Sequence, residues 1–162
     1  MYTNNQPISI NEGETIAQVT VFDVARYFIA RSNDSEDEGI SHLKLQKLIY
    51  YAQGYHLALY DTPLFQEEIY AWMHGPVCPD VYRKYKANKA NPILEPSDDD
   101  FTKIFNQNQI ELLDEIYSVL GRFAAWKLRD LTHAEPTWKN HEADASVIPH
   151  DEMREYFKTR LN

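Results

Sequence analysis

A single cysteine, Cys78, leaves no internal disulfide for this chain to form, and a reducing cytosol is the expected setting. Only five glycines are present, and none belongs to a P-loop, a GxGxxG turn or a GxSxG elbow. No run approaches the roughly eighteen uninterrupted apolar residues of a membrane span. The N-terminus lacks the basic-then-apolar order of a secretory signal. Basic residues are outnumbered, 16 Lys and Arg against 25 Asp and Glu, for a formal charge of −9. That field opposes free association with phosphate backbones, so no direct nucleic-acid partner and no membrane partner are expected. A basic or neutral protein is tolerated far better.

What the sequence does contain is an ordinary globular composition, 43% hydrophobic and 25% charged, at a length that suits one domain. Residues 1–19 are polar and lack period, and read as an extended arm; residues 20–162 read as one compact multi-helix domain. The fold class is mainly α with a small β-ribbon near residues 64–78. Eleven tyrosines dominate the aromatic content, and such rings bridge core and surface because the hydroxyl needs a partner.

Helix signals punctuate the chain. Thr20 and Asp23 form a capping-box pair ahead of Val24, Ala25, Phe28 and Ile29. Residues 31–39, RSNDSEDEG, read as an acidic loop. Ser41 is a good N-cap, with Ile40 placed to staple onto Leu45, and Leu45, Leu48, Ile49, Ala52, His56 and Leu59 form one stripe. That helix is apolar over so much of its girth that it belongs at the centre, ending near Tyr60 before the turn Asp61-Thr62-Pro63. Residues 69–72 suit a short strand and His74-Gly75-Pro76-Val77 breaks any helix there. Short helices follow at Pro79–Asn88, from an Asn108/Glu111 cap to Gly121, at Ala124–His133, around Trp138, and from Pro149 to the end. Residues 90–105 read as a surface connector.

Candidate chemistry is sparse. Six histidines are present, but none pairs with another or with Cys78 at a metal-ligand spacing, so no metal and no cofactor are expected. His56 lies on an apolar face and reads as a hydrogen-bonded core residue. Cys78 sits between Val77 and Pro79, surroundings that favour an inert thiol. A hydrolase would need a cleft around His74, His133 or Cys78. The run Tyr82, Arg83, Lys84, Tyr85, Lys86 and Lys89 is basic and aromatic in an acidic protein. It suits an acidic partner or RNA, or a helix with its tyrosines inward and its cations in water.

The strings KLQKLIYYAQG (residues 44–54) and HGPV (residues 74–77) resemble the Panacea domain of the SocA-like antitoxins, a family formerly catalogued as phage-associated proteins. Pro63-Leu64-Phe65, Glu68, Ala71-Trp72, Tyr82 and Tyr85 fall between or after them in the family's order. Leu131-Thr132-His133, Glu135-Pro136 and Trp138 resemble its second signature. The resemblance runs from about Val21 to Phe157 and implies a non-enzymatic antitoxin that neutralises a cognate toxin by direct binding. An adaptor that hands a toxin to an AAA+ protease is the alternative within the family. The expected contact surface is the ribbon with the Tyr82–Lys89 helix, carried by Trp72, His74, Tyr82, Arg83 and Lys86.

Overall fold

The computed structural model describes residues 9–11, 14–15, 18–35 and 39–161. Within the polar arm, Ser9–Asn11 (β1) and Glu14–Thr15 (β2) pair as a short antiparallel ribbon. The rest of residues 1–17, and residues 36–38 of the acidic stretch, lie outside the described residues.

The first helix, α1, spans Val21–Asp34 and opens on the expected box: the Asp23 N–H donates to Thr20 Oγ1, and the Thr20 N–H donates to Asp23 Oδ2. Val24, Ala25, Phe28 and Ile29 are all buried. The helix outlasts its expected end, because residues 31–34 stay helical instead of opening a loop. Ser32 there is buried but satisfied, its hydroxyl donating to the Ile29 carbonyl at 2.7 Å. Arg31 lies over the Tyr117 ring, 5.2 Å from its centroid, and 3.5 Å from Asp114. Composition marked this stretch as solvated; tertiary partners keep it wound.

Helix α2, His42–Tyr60, is the axis of the fold. Ser41 Oγ accepts the Lys44 N–H, and Ile40 and Leu45 are both buried, as the staple requires. Residues on every side of α2 are buried, which is the condition for a helix apolar around its girth. The chain leaves through Asp61, left-handed at φ 59°, whose N–H bonds the Leu57 carbonyl.

The ribbon is strand β3, Tyr70–Trp72, antiparallel to strand β4, Gly75–Val77, with Ala71 opposite Pro76. Proline is tolerated in β4 because the sheet has two strands and one edge of β4 needs no donor. The other edge of β3 is covered by the segment before the last helix: Ala71 N–H donates to Ser146 O at 3.0 Å and Ile148 N–H to Ile69 O at 2.8 Å. Helix α3, Pro79–Tyr85, follows with proline in its first turn and runs into a 3₁₀ turn at Lys86–Asn88.

The connector to the next helix is anchored by Ile93 and Phe105, both buried. Helix α4, Gln107–Leu120, is capped at Asn106, two residues before the expected cap at Asn108. Asn106 and Gln109 make the reciprocal box, since either amide side chain can accept the other's backbone N–H. Helices α5, Ala125–His133, and α6, Pro136–Lys139, carry the chain back along α2, and α7, His150–Lys158, closes it. The α7 residue Phe157 is fully buried, its ring 4.8 to 5.9 Å from those of Tyr50, Tyr51 and Tyr55. Seven helices and two small ribbons are thus formed among the described residues, and none of these helices is long and apolar enough to cross a membrane.

Candidate partner-binding site

The ribbon and α3 are held by polar side chains rising from α2. Gln46 clasps the backbone of Cys78 from both sides, its Oε1 accepting the N–H at 2.8 Å and its Nε2 donating to the carbonyl at 3.2 Å. One residue on, Lys47 is wholly buried and donates from Nζ to the Pro76 carbonyl at 3.1 Å. Burial, and secondarily Arg129, bring its pKa down to about 7. Gly75 lies directly over this lysine at φ +109°. A Cβ there would stand 2.6 Å from Lys47 Cε and 2.9 Å from Thr132 Oγ1, so a glycine is needed for both conformation and space.

The same helix fixes other segments in the same manner. Gln53 Oε1 accepts the Leu64 N–H at 2.7 Å while its Nε2 donates to Phe65 O at 2.8 Å. His56 Nδ1 lies 2.6 Å from Thr62 O, so Nδ1 carries the proton and donates it, the satisfied core histidine expected from the apolar face. Tyr50 and Tyr51 donate to the two oxygens of buried Glu135 at 2.6 and 2.8 Å. Burial raises the Glu135 pKa, and the tyrosine hydroxyls hold it back. Each contact ties a loop or helix end to one rigid helix, which leaves the hairpin turn positioned while exposed.

Beside that turn is a mostly apolar pocket of about 450 Å³ lined by Trp72, Met73, His74, Tyr82, His42 and Gln46, with Leu43, Val77 and Ala145 completing it. The half-buried Trp72 ring meets Tyr82 edge-on at 5.2 Å, and His42 stands 5.4 Å from Tyr82. Trp138 Nε1 donates to the Trp72 carbonyl at 2.8 Å, fixing the strand from behind. Burial and the nearby Lys47 bring the His42 pKa to about 4, so this wall is uncharged at neutral pH. Met73, at the tip, is 75% exposed.

Of the residues singled out in the sequence, Trp72, His74 and Tyr82 meet around this one pocket. Arg83 and Lys86 do not line it. Both are exposed on α3 and its following turn, with Arg83 paired to Asp80. Tyr85 does turn inward, its hydroxyl donating to Glu95 at 3.0 Å, while Tyr82 stays 38% exposed. Sequence reasoning missed Met73 and His42. Met73 was legible as the residue between Trp72 and His74 at a helix-breaking turn; nothing in the sequence placed His42 opposite Tyr82.

Two of the groups a hydrolase would need, Cys78 and His133, are taken up in packing, while His74 lines the pocket. Cys78 is buried, and that burial pushes its thiol up to about 11. His133 stacks flat on Trp138, centroids 3.9 Å apart. Among the described residues, no three His, Cys, Asp or Glu side chains gather as a metal-ion set.

The comparisons agree with the sequence resemblance. The family model described as "Antitoxin SocA-like, Panacea domain" matches residues 45–139, more than half of the chain and the whole region that carries the ribbon, α3 and α5. Antitoxin SocA of Caulobacter vibrioides (strain NA1000 / CB15N) is 33% identical over 107 residues, covering 60% of this chain and 57% of that relative. The chain thus spans little more than half the length of that protein. No solved structure gives a significant match. On the breadth of the family match, this chain belongs to the antitoxin SocA-like family and carries its Panacea domain.

Proposed function

We propose that this chain is an antitoxin that neutralises a cognate toxin protein by binding it directly, with the hairpin tip and α3 as the docking surface. Family membership supports the antitoxin role. The observation that carries the location is the apolar pocket between Trp72, Tyr82 and His42, with Met73 and His74 projecting at its rim. Concave apolar sites with aromatic walls are where interfaces concentrate their binding energy. Arg83 and Lys86 form a basic margin one turn along α3, suited to steering an acidic surface more than to anchoring it. The thiol and imidazoles engaged in packing favour binding over catalysis.

The test is co-expression with the protein encoded beside this gene. If that protein alone arrests growth, this chain should restore growth and co-purify with it. Tyr82→Ala and Met73→Ala should then each weaken capture by about tenfold or more, in line with hot-spot truncations. Growth restored while the toxin disappears from the cell would shift the mechanism to delivery to an AAA+ protease. A harmless neighbour that does not bind would remove the antitoxin role.

A further inference from the structure

Three basic side chains gather where β4 crosses α5. Lys47 is sealed beneath Gly75, beside Thr132 of α5. Arg129 and His133 flank Thr132 on the same helix, four residues apart and therefore on one face. His133 is hydrogen-bonded to the backbone of Met73 at the hairpin tip, so the cluster adjoins the far side of the turn that forms the apolar pocket.

This cluster is electrostatically incomplete. Arg129 Nε and His133 Nε2 are both enclosed and have no hydrogen-bond partner. Lys47 Nζ donates to one acceptor, the Pro76 carbonyl, and with a pKa of about 7 it is only partly charged at neutral pH. Among the described residues none of the three basic groups forms an ion pair, in a chain with 25 acidic residues. Burial first, and then Arg129 and Lys47, lower the pKa of His133, so its ring is largely neutral at neutral pH; Asp130 and the Met73 backbone bond oppose the shift. Buried polar atoms without partners, here the Arg129 Nε–H donor and the His133 Nε2 lone pair, are rare in folded proteins and call for a missing ion, water or ligand group. Arg129 and His133 each keep part of their surface in solvent, so a partner group meets them at that edge, and the side chains must turn to present the enclosed nitrogens.

We infer that the protein partner completes this cluster with a carboxylate, an Asp or Glu side chain received by Arg129 beside the hairpin tip, with His133 taking up a proton from solvent as it binds so that Nε2 can donate to it. A carboxylate matches the planar fork of an arginine and accepts from a second donor with its other lone pairs. A polypeptide fits better than a free ion because apolar groups frame the cluster. Met73 is 75% exposed, and Trp126, one turn before Arg129 on α5, is 64% exposed. The inference rests on the direct-binding reading above and names the chemistry of its partner: an apolar anchor for the pocket and an acidic residue across the turn from it.

The experiment titrates the full chain, with histidine and arginine side chains ¹⁵N-labelled, with the peptide acetyl-Asp-Glu-Asp-Glu-Asp-Glu-amide. Its Asn/Gln counterpart and inorganic phosphate are run in parallel. The acidic peptide should move the Arg129 Nε–H and His133 ring resonances, the amide peptide should not, and phosphate should act more weakly. Arg129→Gln should weaken the response at least tenfold, with Arg129→Lys, which keeps charge and loses the fork, falling between. No response to the acidic peptide, an equal response to phosphate, or an undiminished response in Arg129→Gln overturns the inference. The growth and capture assay separates this from the parent reading. If wild type captures its neighbour-encoded partner and Arg129→Gln does so with equal affinity and salt dependence, the carboxylate contact is wrong and the antitoxin reading stands. If wild type captures nothing, the antitoxin reading fails while the peptide titration still reports on the cluster.

Discussion

Gly54 is the position where helix propensity and packing make opposite demands, and replacing it with alanine tests which dominates. It sits mid-helix in α2, where alanine gains roughly 0.5–1 kcal/mol over glycine by propensity. Against this, a Cβ at Gly54 would lie 2.6 Å from Phe157 Cζ, with Cε2 and Cδ2 of the same ring closer still. Carbon atoms rest about 3.5–4.0 Å apart, so the ring must retreat by on the order of 1 Å or more. Phe157 cannot do so freely, because it is fully buried and packed against Tyr50, Tyr51 and Tyr55. Overpacking of this kind costs about 1–3 kcal/mol, sometimes more. Gly54→Ala should therefore lose about 2 kcal/mol net in urea unfolding, despite its better propensity. Phe157→Ala alone should lose about 3–5 kcal/mol from the cavity it leaves. In the double variant the new methyl enters that cavity, so the pair should be no less stable than Phe157→Ala alone. The coupling would be about 2–3 kcal/mol, well outside the few tenths by which independent sites deviate from additivity. A neutral or stabilising Gly54→Ala, or losses that simply add, would refute the claim that α2 and α7 meet through this glycine.

Further outcomes follow from the buried polar groups. Gln46→Ala leaves both backbone groups of Cys78 without their partner and should cost about 2–4 kcal/mol, at about 1–3 kcal/mol per unsatisfied group, measured by urea unfolding. Lys47 is charged more readily unfolded, with its ordinary pKa of 10.5, than folded, at about 7. The unfolded state thus binds the extra proton between these values, and stability should rise with pH from about 7, by at most ~1.4 kcal/mol per unit. Cys78, higher when folded, opposes the rise above pH 9, and buried Tyr50 and Tyr51 oppose it above pH 10. Stability should accordingly peak near pH 9, and Lys47→Met should flatten the 7–9 window in chemical unfolding followed by tyrosine fluorescence. Reversing the basic margin with Arg83→Glu and Lys86→Glu should slow capture of the toxin and reduce its salt dependence, read by surface-bound association kinetics. Unchanged rates in both would exclude that margin from the interface.

The fold was most legible where a local signal and a buried stripe coincided. Thr20 with Asp23, Ser41 with Ile40 and Leu45, and the turn at Asp61 each mark an element boundary, because the cap satisfies backbone groups whatever the tertiary setting. Misreadings arose where a distant partner decided. Residues 31–34 look solvated by composition, but Arg31 is held by Tyr117 and Asp114 from α4, some eighty positions on. The α4 cap was read at Asn108 and Glu111 because both boxes fit the same residue types, and periodicity cannot choose between starts two residues apart.

The site divides along the same line, and the division explains what the family signature reports. In KLQKLIYYAQG the polar residues are attachment points: Gln46 to Cys78, Lys47 to Pro76, Tyr50 and Tyr51 to Glu135, and Gln53 to Leu64 and Phe65. HGPV and the Thr132–Trp138 segment receive or flank those attachments, with Gly75 over Lys47 and Trp138 behind Trp72. Motif residues are therefore mostly scaffold, and a reading that follows the motif arrives one layer beneath the surface. That Trp72, His74 and Tyr82 line one pocket was recoverable because aromatic and imidazole groups beside a helix-breaking turn are poor core material. Met73 and the wall supplied by His42 depend on how the hairpin leans over the start of α2, which Gln46 and Lys47 set through long-range bonds that no local pattern encodes. The arrangement is a rigid helix that fixes a short, exposed turn, so that on the proposed docking there little ordering would remain to oppose binding.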